Sequence, residues 1–404
     1  MSAKGKEVQK QILQGIRVIE LGQLIAGPFA AKTLADFGAD VIKIEPPGSG
    51  DPLRGWRMLH KGTSVWWEAQ SRNKKSVCLD LRKEEGRAVL KKLAESADVL
   101  IENFRPGTME KWGLGWDELH KLNPKLVMLR VSGYGQTGPK SQLPGFAAIG
   151  EAAAGLRYLN AEPGRVPVRA GLSIGDTIAA MHGAFGVMLA LYERDARGGV
   201  GQMIDIALTE AVLNFTESLL PEYSAFGAIR QPAGGAMPGI APTNAYPCKD
   251  GHVLIAGNGD SIFKRLMTSI GRADLANDPQ LGKNDGRVAR VEEIDTAIGA
   301  WTSKQTIDEV LKAMVVADVP AGRVCTVKDV AEDPQFQARG MLQKATTADG
   351  LEVIVPGIVP ILSENPGAVR ARAPRLGENT EAILSEAGFA SAELQALRAK
   401  GIIN

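Results

Sequence analysis

The stretch RAGLSIGDTIAAMHGAFGVMLALYERD, Arg169–Asp195, sets one carboxylate, Asp176, behind a glycine at the entrance of a segment with helical periodicity. A carboxylate in that place has two readings. As a cap it accepts hydrogen bonds from N–H groups that a first helical turn leaves without partners. As a nucleophile it attacks an activated acyl group, provided it is held at the right angle and shielded from water. The helix dipole keeps it ionised either way, which makes it available but a weaker base, so position must supply the reactivity. Three cations leave separate strand-like runs: Arg82 in LDLRKEEG, then Arg105 and Lys111 in ENFRPGTMEKWG. At the carboxyl ends of parallel strands such cations hold phosphates by charge-assisted bonds; taken singly they are solvated surface charge. Trp56, Trp66 and Trp67 crowd the loop WRMLHKGTSVWWEAQ, where aromatics either wall a pocket or fill a core.

Other chemistries lack their patterns. The turn ELGQLIAGPFAA has only Gly22 and Gly27, not the GxGxxG of a dinucleotide site, though it still puts backbone N–H groups at a helix start, where anions bind. No phosphate loop, no GxSxG elbow and no HExxH spacing occurs, and no metal site is expected. Cys78, Cys248 and Cys325 lie far apart with no CxxC pair, which fits a reducing compartment rather than a disulfide framework. Lys and Arg total 47 against 46 Asp and Glu, so bulk charge gives no support to a nucleic-acid or membrane-surface role. The start MSAKGKEVQKQ is polar, without the apolar core of a signal peptide, and no uncharged apolar run reaches bilayer length. A cytoplasmic protein is expected.

The elements that must position these residues alternate. IRVIELG reads as a strand, GPFAAKTLADFGA as a helix opened by Pro28 and closed by Gly38, and DVIKIEPP as the next strand. This β-α-β unit continues through SVCLDL, KEEGRAVLKKLAESA, DVLIENF and KLVMLRVSGYG, predicting a parallel α/β sheet. The helix at 176–194 shows apolar residues Ile178, Met181, Phe185, Met188 and Leu189 at helical spacing. GQMIDIAL then reads as strand and TEAVLNFTESLL as helix; the Gly/Pro-rich stretch FGAIRQPAGGAMPGIAPTNAYP reads as loop, and CKDGHVLIAGN as a hairpin. The 404 residues thus divide into a large α/β domain over 1–225, a small domain over 226–330 and a C-terminal segment, 331–404, that returns to the large domain.

Taken together and in order, VIELGQLIAGPFAAKTLADFGADVIKIEPPGSGD, RNKKSVCLDLRKEEG, ADVLIENFRPGTMEKWGLGWDEL, SGYGQTGP, GLSIGD, GQMIDIAL and APRLGENTEAIL resemble the class III coenzyme A transferase (CaiB/BaiF) family, from about residue 14 to the C-terminus. The resemblance implies a Rossmann-like large domain with a smaller α/β domain, and two chains interlocked like rings in a homodimer. It matches Asp176 to the family nucleophile, which forms an aspartyl anhydride and then an aspartyl-CoA thioester. It matches Ala26, Arg82, Asn103, Phe104, Arg105 and Lys111 to CoA-contacting positions, and Trp56 and Trp66 to aromatics near the active site. Gly234 and Gly235, in PAGGAMPG, match the position of a glycine-rich lid loop. CoA and acyl-CoA are implied as substrates, with no permanently bound cofactor and no nucleic-acid or membrane partner.

Departures narrow the acceptor. Racemases of the superfamily carry His before Asp where Phe146 and Ala147 stand in PGFAAIG; oxalate-using members have Gln and Tyr where Ile25 and Phe146 stand. The pattern is closer to members that move CoA between dicarboxylates such as succinate, glutarate or itaconate, with Arg169 in VPVRAG a candidate for a distal carboxylate. Two alternatives remain at this level: an α-methylacyl-CoA racemase or other CoA-ester isomerase, and a non-catalytic CoA-ester-binding protein on the same fold.

Overall fold

The structure, a computed structural model, describes residues 11–404. All but the last residue of the polar start MSAKGKEVQKQ therefore lies outside them. The chain begins with β1 (Arg17–Glu20), α1 (Ala26–Asp36) and β2 (Asp40–Glu45). A two-residue hairpin, β3 (Leu59–His60) and β4 (Thr63–Ser64), and α2 (Trp66–Ser71) lead to β5 (Lys74–Cys78). Then come α3 (Glu84–Ala94), β6 (Val99–Glu102), α4 (Thr108–Lys111), α5 (Trp116–Leu122) and β7 (Val127–Ser132). The last crossover runs through α6 (Ala147–Ala153), α7 (Leu156–Leu159) and α8 (Ile174–Arg197) to β8 (Met203–Ala207). All six long strands pair in parallel in the order β5-β2-β1-β6-β7-β8.

A parallel sheet needs cover on both faces, and the period-two alternation along the strands supplies apolar side chains to each. Val18, Val41, Val99, Ile101, Val127, Leu129 and Val131 point to the face packed by α1 and α8. Ile19, Ile42, Ile44, Val77, Leu100 and Met128 point to the other, covered by Val89, Leu90 and Leu93 of α3 and by Ile383, Leu384, Leu394, Ile402 and Ile403 from the C-terminus.

The described residues form two compact units. The first holds the chain to Leu156, Ala170–Glu217 and Gln337–Asn404; the second holds Arg157–Arg169 and Ser218–Phe336. The second starts at 218 rather than 226, runs on to 336, and also takes in 157–169, a detour that no shift of composition marks. The expected helix TEAVLNFTESLL is broken. It ends at Leu213, Glu217 turns the chain with φ +50°, and a new helix runs Leu219–Phe226. In the second unit β9 (Thr243–Cys248) and β10 (Gly251–Ala256) form a hairpin of which CKDGHVLIAGN holds only the turn and second strand; the first strand takes TNAYP from the stretch expected as loop, and β11 (Ala321–Arg323) adds to β10 antiparallel. The strand in GLEVIVPG, β13 (Glu352–Pro356), pairs only with β12 (Leu342–Thr346), outside the main sheet.

The long helix turns a different face inward from the one its bulky residues mark. Ala179, Ala180, Gly183, Ala184, Val187, Ala190 and Leu191 of α8 are buried, while Met181 is 50%, Phe185 62% and Leu189 54% exposed. The sheet and α1 approach so closely that only small side chains fit. A Cβ on Gly183 would sit 2.9 Å from Leu129. By length and composition α8 could cross a bilayer; here its small-residue face is part of the core between sheet and α1.

Candidate active site

The strand order reverses once. The chain steps from β1 outward to β2 and β5, then returns to the other side of β1 for β6, β7 and β8. Ligands of open α/β sheets bind off the carboxyl ends of the strands at such a reversal. Here the two flanking ends are the turn Leu21–Ile25, after β1, and Asn103–Arg105, after β6. Asn103 joins them: its Oδ1 accepts from Gln23 N–H at 2.8 Å and its Nδ2 donates to the Gln23 carbonyl at 2.9 Å. Asn103, matched to a CoA contact, thus shapes the turn with both ends of its amide. Within the turn, a Cβ on Gly22 would meet Gly27 Cα at 3.1 Å, so the backbone doubles back tightly before α1 begins at Ala26.

Asp176 enters from α8. Ser173 stands at the N-cap position of its helix without a side-chain capping bond, and Asp176 is the third helical residue, half-buried in the first turn, not the cap. Gly175 beside it donates its N–H to the buried Glu151 Oε1 at 3.3 Å, and a Cβ there would lie 3.2 Å from Ala147 Cβ on α6. The IGD glycine is therefore set by the approach of α6. Since α8 leads from β7 to β8, its start lies at the same sheet edge as the Gly22–Ala26 turn. Small residues, Ala26, Ala30 and Ala31 on α1 and Ala179, Ala180 and Ala184 on α8, pack the two helices together. Two helix N-termini, each the positive end of its dipole, hence open at the carboxyl ends of the strands, one carrying Ala26 and the other Asp176.

The expected phosphate cations do not converge on one point. Arg82 follows β5 and Arg105 follows β6, three strand spacings apart, roughly 14 Å along the sheet edge. Arg82 is exposed but held by Asp80 at 2.8 and 2.9 Å, and that bond keeps the Asp80 carboxyl below its usual range. Arg105 and Lys111 are exposed, and neither forms an ion pair among the described residues. The loop bearing them stands on buried Arg130, which reaches buried Glu102 at 2.7 Å and exposed Glu110 at 2.6 Å, and Glu102 accepts from Phe104 N–H at 2.7 Å. Burial pushes the Glu102 carboxyl up against the opposing pull of Arg130. The Phe104 ring packs edge-on to Trp112 at 5.3 Å, part of the lower core.

Trp56 and Trp66 do meet, with ring centroids 6.5 Å apart, and the Arg57 guanidinium lies 5.5 Å from the Trp66 ring. Trp67 takes the other option open to that cluster and is core, its Nε1 donating to the Pro374 carbonyl at 3.0 Å. Phe146 is 72% exposed at the start of α6. Arg169, Gly234 and Gly235 belong to the second unit, apart from the unit that carries Asp176. There Gly234, at φ +61°, donates to the Ala161 carbonyl at 3.0 Å, and a Cβ on it would strike the Glu162 carboxylate. Among the described residues no group of His, Cys, Asp and Glu is arranged to hold a metal.

Sequence reasoning missed the charges beneath the turn: Glu20, Lys43, Asp51 and Lys74, all buried. The signal was present, because charged residues inside the buried strand runs RVIE and DVIKIE require partners.

The family model described as CoA-transferase family III matches residues 13–380, and the chain belongs to that family, whose enzymes act on CoA thioesters. The protein is a CoA-transferase. Over 97% of its length it is 46% identical to 98% of the succinyl-CoA–D-citramalate CoA-transferase of Chloroflexus aurantiacus. It is 34% identical to the succinate–glutarate CoA-transferase of Agrobacterium fabrum, over 94% of this chain and 96% of that one. The crystal structure of a CaiB/BaiF family protein from Brucella suis superposes with a TM-score of 0.83 at 34% identity, covering 94% of this chain and all of the other.

Proposed function

We propose that this enzyme moves CoA from succinyl-CoA to a second dicarboxylic acid, with Asp176 as the covalent carrier. The position of Asp176 carries the reading: first turn of α8, a helix that packs against α1 and starts on the side of the strands' carboxyl ends. The relatives transferring CoA to or from succinate, with citramalate or glutarate as the other acid, support the substrate class. The Asp176 carboxylate attacks the succinyl carbonyl and expels CoA thiolate, giving a mixed anhydride. The thiolate then attacks the aspartyl carbonyl, giving aspartyl-CoA and free succinate. The acceptor carboxylate attacks that thioester and expels CoA thiolate again. The thiolate attacks the acceptor carbonyl of the new anhydride and returns Asp176 to its carboxylate. One thioester is exchanged for another, so no external energy source is needed.

Ala26, Asn103, Phe104, Arg105 and Lys111 bind the CoA portion along the strand ends, with Arg82 at the far end. Trp56, Trp66 and Phe146 wall the acyl end, and Arg169, Gly234 and Gly235 serve the acceptor and its lid. A second copy of the chain covers the outward residues Met181, Phe185 and Leu189 of α8. The test is to incubate enzyme and succinyl-CoA with citramalate, malate, glutarate, itaconate, oxalate and acetate, and to quantify the CoA esters by mass spectrometry. The expected result is a new thioester of a dicarboxylate and its loss in Asp176→Ala. Exchange of the α-proton of an acyl-CoA without any acceptor acid would instead identify an isomerase.

A further inference from the structure

Below the turn that opens α1, four charged side chains are sealed in the core. Lys43 Nζ lies 2.8 Å from Glu20 and 2.8 Å from Asp51, and Lys74 Nζ lies 2.7 Å from the other Glu20 oxygen; none of the four side chains is more than 1% exposed. Two carboxylates balance two ammonium groups. Burying ions in this way is a poor route to stability, since apolar residues of similar volume commonly serve the fold as well. Three of these ions, however, also reach a backbone atom above them. Lys43 donates to the Gly22 carbonyl at 2.8 Å, Asp51 accepts from Leu24 N–H at 3.1 Å, and Lys74 donates to the Pro28 carbonyl at 2.8 Å. Gln70 donates to the Ile25 carbonyl at 3.0 Å and Asn103 holds both polar groups of Gln23. Leu24 itself stands at φ +63°, a left-handed conformation that leucine keeps only where its surroundings impose it.

Resting on the CoA-transferase reading of this edge, we infer that the buried cluster Glu20–Lys43–Asp51–Lys74 is a positioning device: it holds the Gly22–Ile25 turn in the one shape that presents the start of α1 to the CoA thioester. These are positioning residues; none need touch substrate. The cluster has a weak member. Burial pulls the Lys74 ammonium down to about 8, with Glu20 opposing and the neighbouring Lys43 cation adding to the fall. Burial acts on Lys43 too, but Glu20, Asp51 and Glu45 together hold it above its ordinary value. The groups facing Lys74 are thus Glu20 from β1, Lys43 from β2, Asp51 beyond it and the Pro28 carbonyl of α1. When Lys74 loses its proton, Glu20 and Asp51 share a single cation, and the turn loses its balanced support.

The test uses the full chain at pH 6.5 to 9.5. Initial rates against enzyme-free blanks give KM for succinyl-CoA and kcat; hydrogen exchange of the peptide covering the turn, corrected for intrinsic pH dependence, reports its order. If only the protonated cluster binds well, KM of the parent rises about tenfold between the neutral plateau and pH 9, one unit above the Lys74 value, while kcat at saturation changes little. Lys74→Met is expected to show the raised KM and fast turn exchange at every pH, and Asp51→Asn a raised KM already at pH 7. A parent whose KM and turn exchange are flat across this range, or a folded Lys74→Met with parental values of both, overturns the inference. The parent's own pH series needs no variant, so unfolding of a variant leaves the test intact. If turn exchange follows pH as expected but no acceptor or CoA ester is turned over, the positioning device stands and the transferase reading of the site falls.

Discussion

Gly175→Ala tests whether Asp176, the proposed nucleophile, is aimed by packing. The new Cβ would lie 3.2 Å from Ala147 Cβ, 3.3 Å from the Ala147 carbonyl oxygen and 3.3 Å from Glu151 Cγ, all tighter than ordinary contact, with a backbone atom among them. Replacing a helical glycine by alanine gains about 0.5–1 kcal/mol in backbone entropy. Overpacking a closed contact costs about 1–3 kcal/mol. The net change is a loss of roughly 0–2.5 kcal/mol, which leaves the chain folded. The contact is relieved by moving the start of α8 a few tenths of an ångström from α6, and Asp176 is the next residue. If a misplacement of 1 Å costs about a hundredfold, a shift of about 0.3 Å costs roughly fourfold in kcat. Gly183→Ala is the control on the same helix. Its Cβ would meet Leu129 Cδ2 at 2.9 Å, the movable end of a side chain, two turns from the nucleophile. Both variants are assayed for melting temperature and for kcat with saturating succinyl-CoA and acceptor. Similar melting temperatures with kcat reduced only in Gly175→Ala are expected. Equal kcat in both, with both folded, refutes the claim that α6 sets the aim of Asp176.

Thiol labelling orders the cysteines by environment. Exposed Cys325 reacts first at pH 8, while Cys78, whose thiol burial and Glu45 push up to about 12, reacts only on unfolding, as mass spectrometry of alkylated peptides would show. For the CoA groove, Arg105→Ala and Lys111→Ala each weaken CoA binding about tenfold in calorimetry at low salt, and less at high salt. Arg82→Ala has the smaller effect, because Asp80 already occupies that guanidinium. Acid weakens the turn. Against their burial, Arg54 holds Glu45 and Lys43 holds Asp51 below their ordinary 4.5 and 3.8, so the stability these carboxylates lend is complete above those values and is lost as pH falls through the lower folded ones. Melting temperature is expected to drop from about pH 4.5 downward and to drop less steeply in Asp51→Asn.

The alternating sheet and its helices were legible because they are written in local pattern: RVIE and DVIKIE as strands, and a proline and a glycine framing α1. The proposed nucleophile was legible from IGD only through family resemblance; on residue chemistry alone Asp176 read first as a cap, whereas the N-cap position is Ser173 and Asp176 lies inside the first turn. The direction of α8 was not legible. Periodicity marks an apolar stripe but not which side of a helix the sheet will approach, and here closeness of approach selected alanine and glycine over the larger residues. The detour of 157–169 into the second unit left no trace for the same kind of reason, since unit membership is decided by contacts distant in sequence. The Arg82–Asp80 pairing, by contrast, could have been suspected from two opposite charges two residues apart at a strand end.

The way the C-terminus closes over β5 bears on how the protein is made. Gly377 N–H donates to Ser76 Oγ across 301 residues, and Asp80 N–H donates to the Ile402 carbonyl at 2.9 Å. Leu384, Ile402 and Ile403 fill the same core face as Ile42 and Val77. While the chain emerges from the ribosome, α3 covers part of that face early, but the part under Leu384, Ile402 and Ile403 stays open until those residues are made. The second unit, Ser218–Phe336, is complete well before then. The first unit is therefore closed after the second, and a chain cut before Ile383 leaves part of that sheet face open to aggregation.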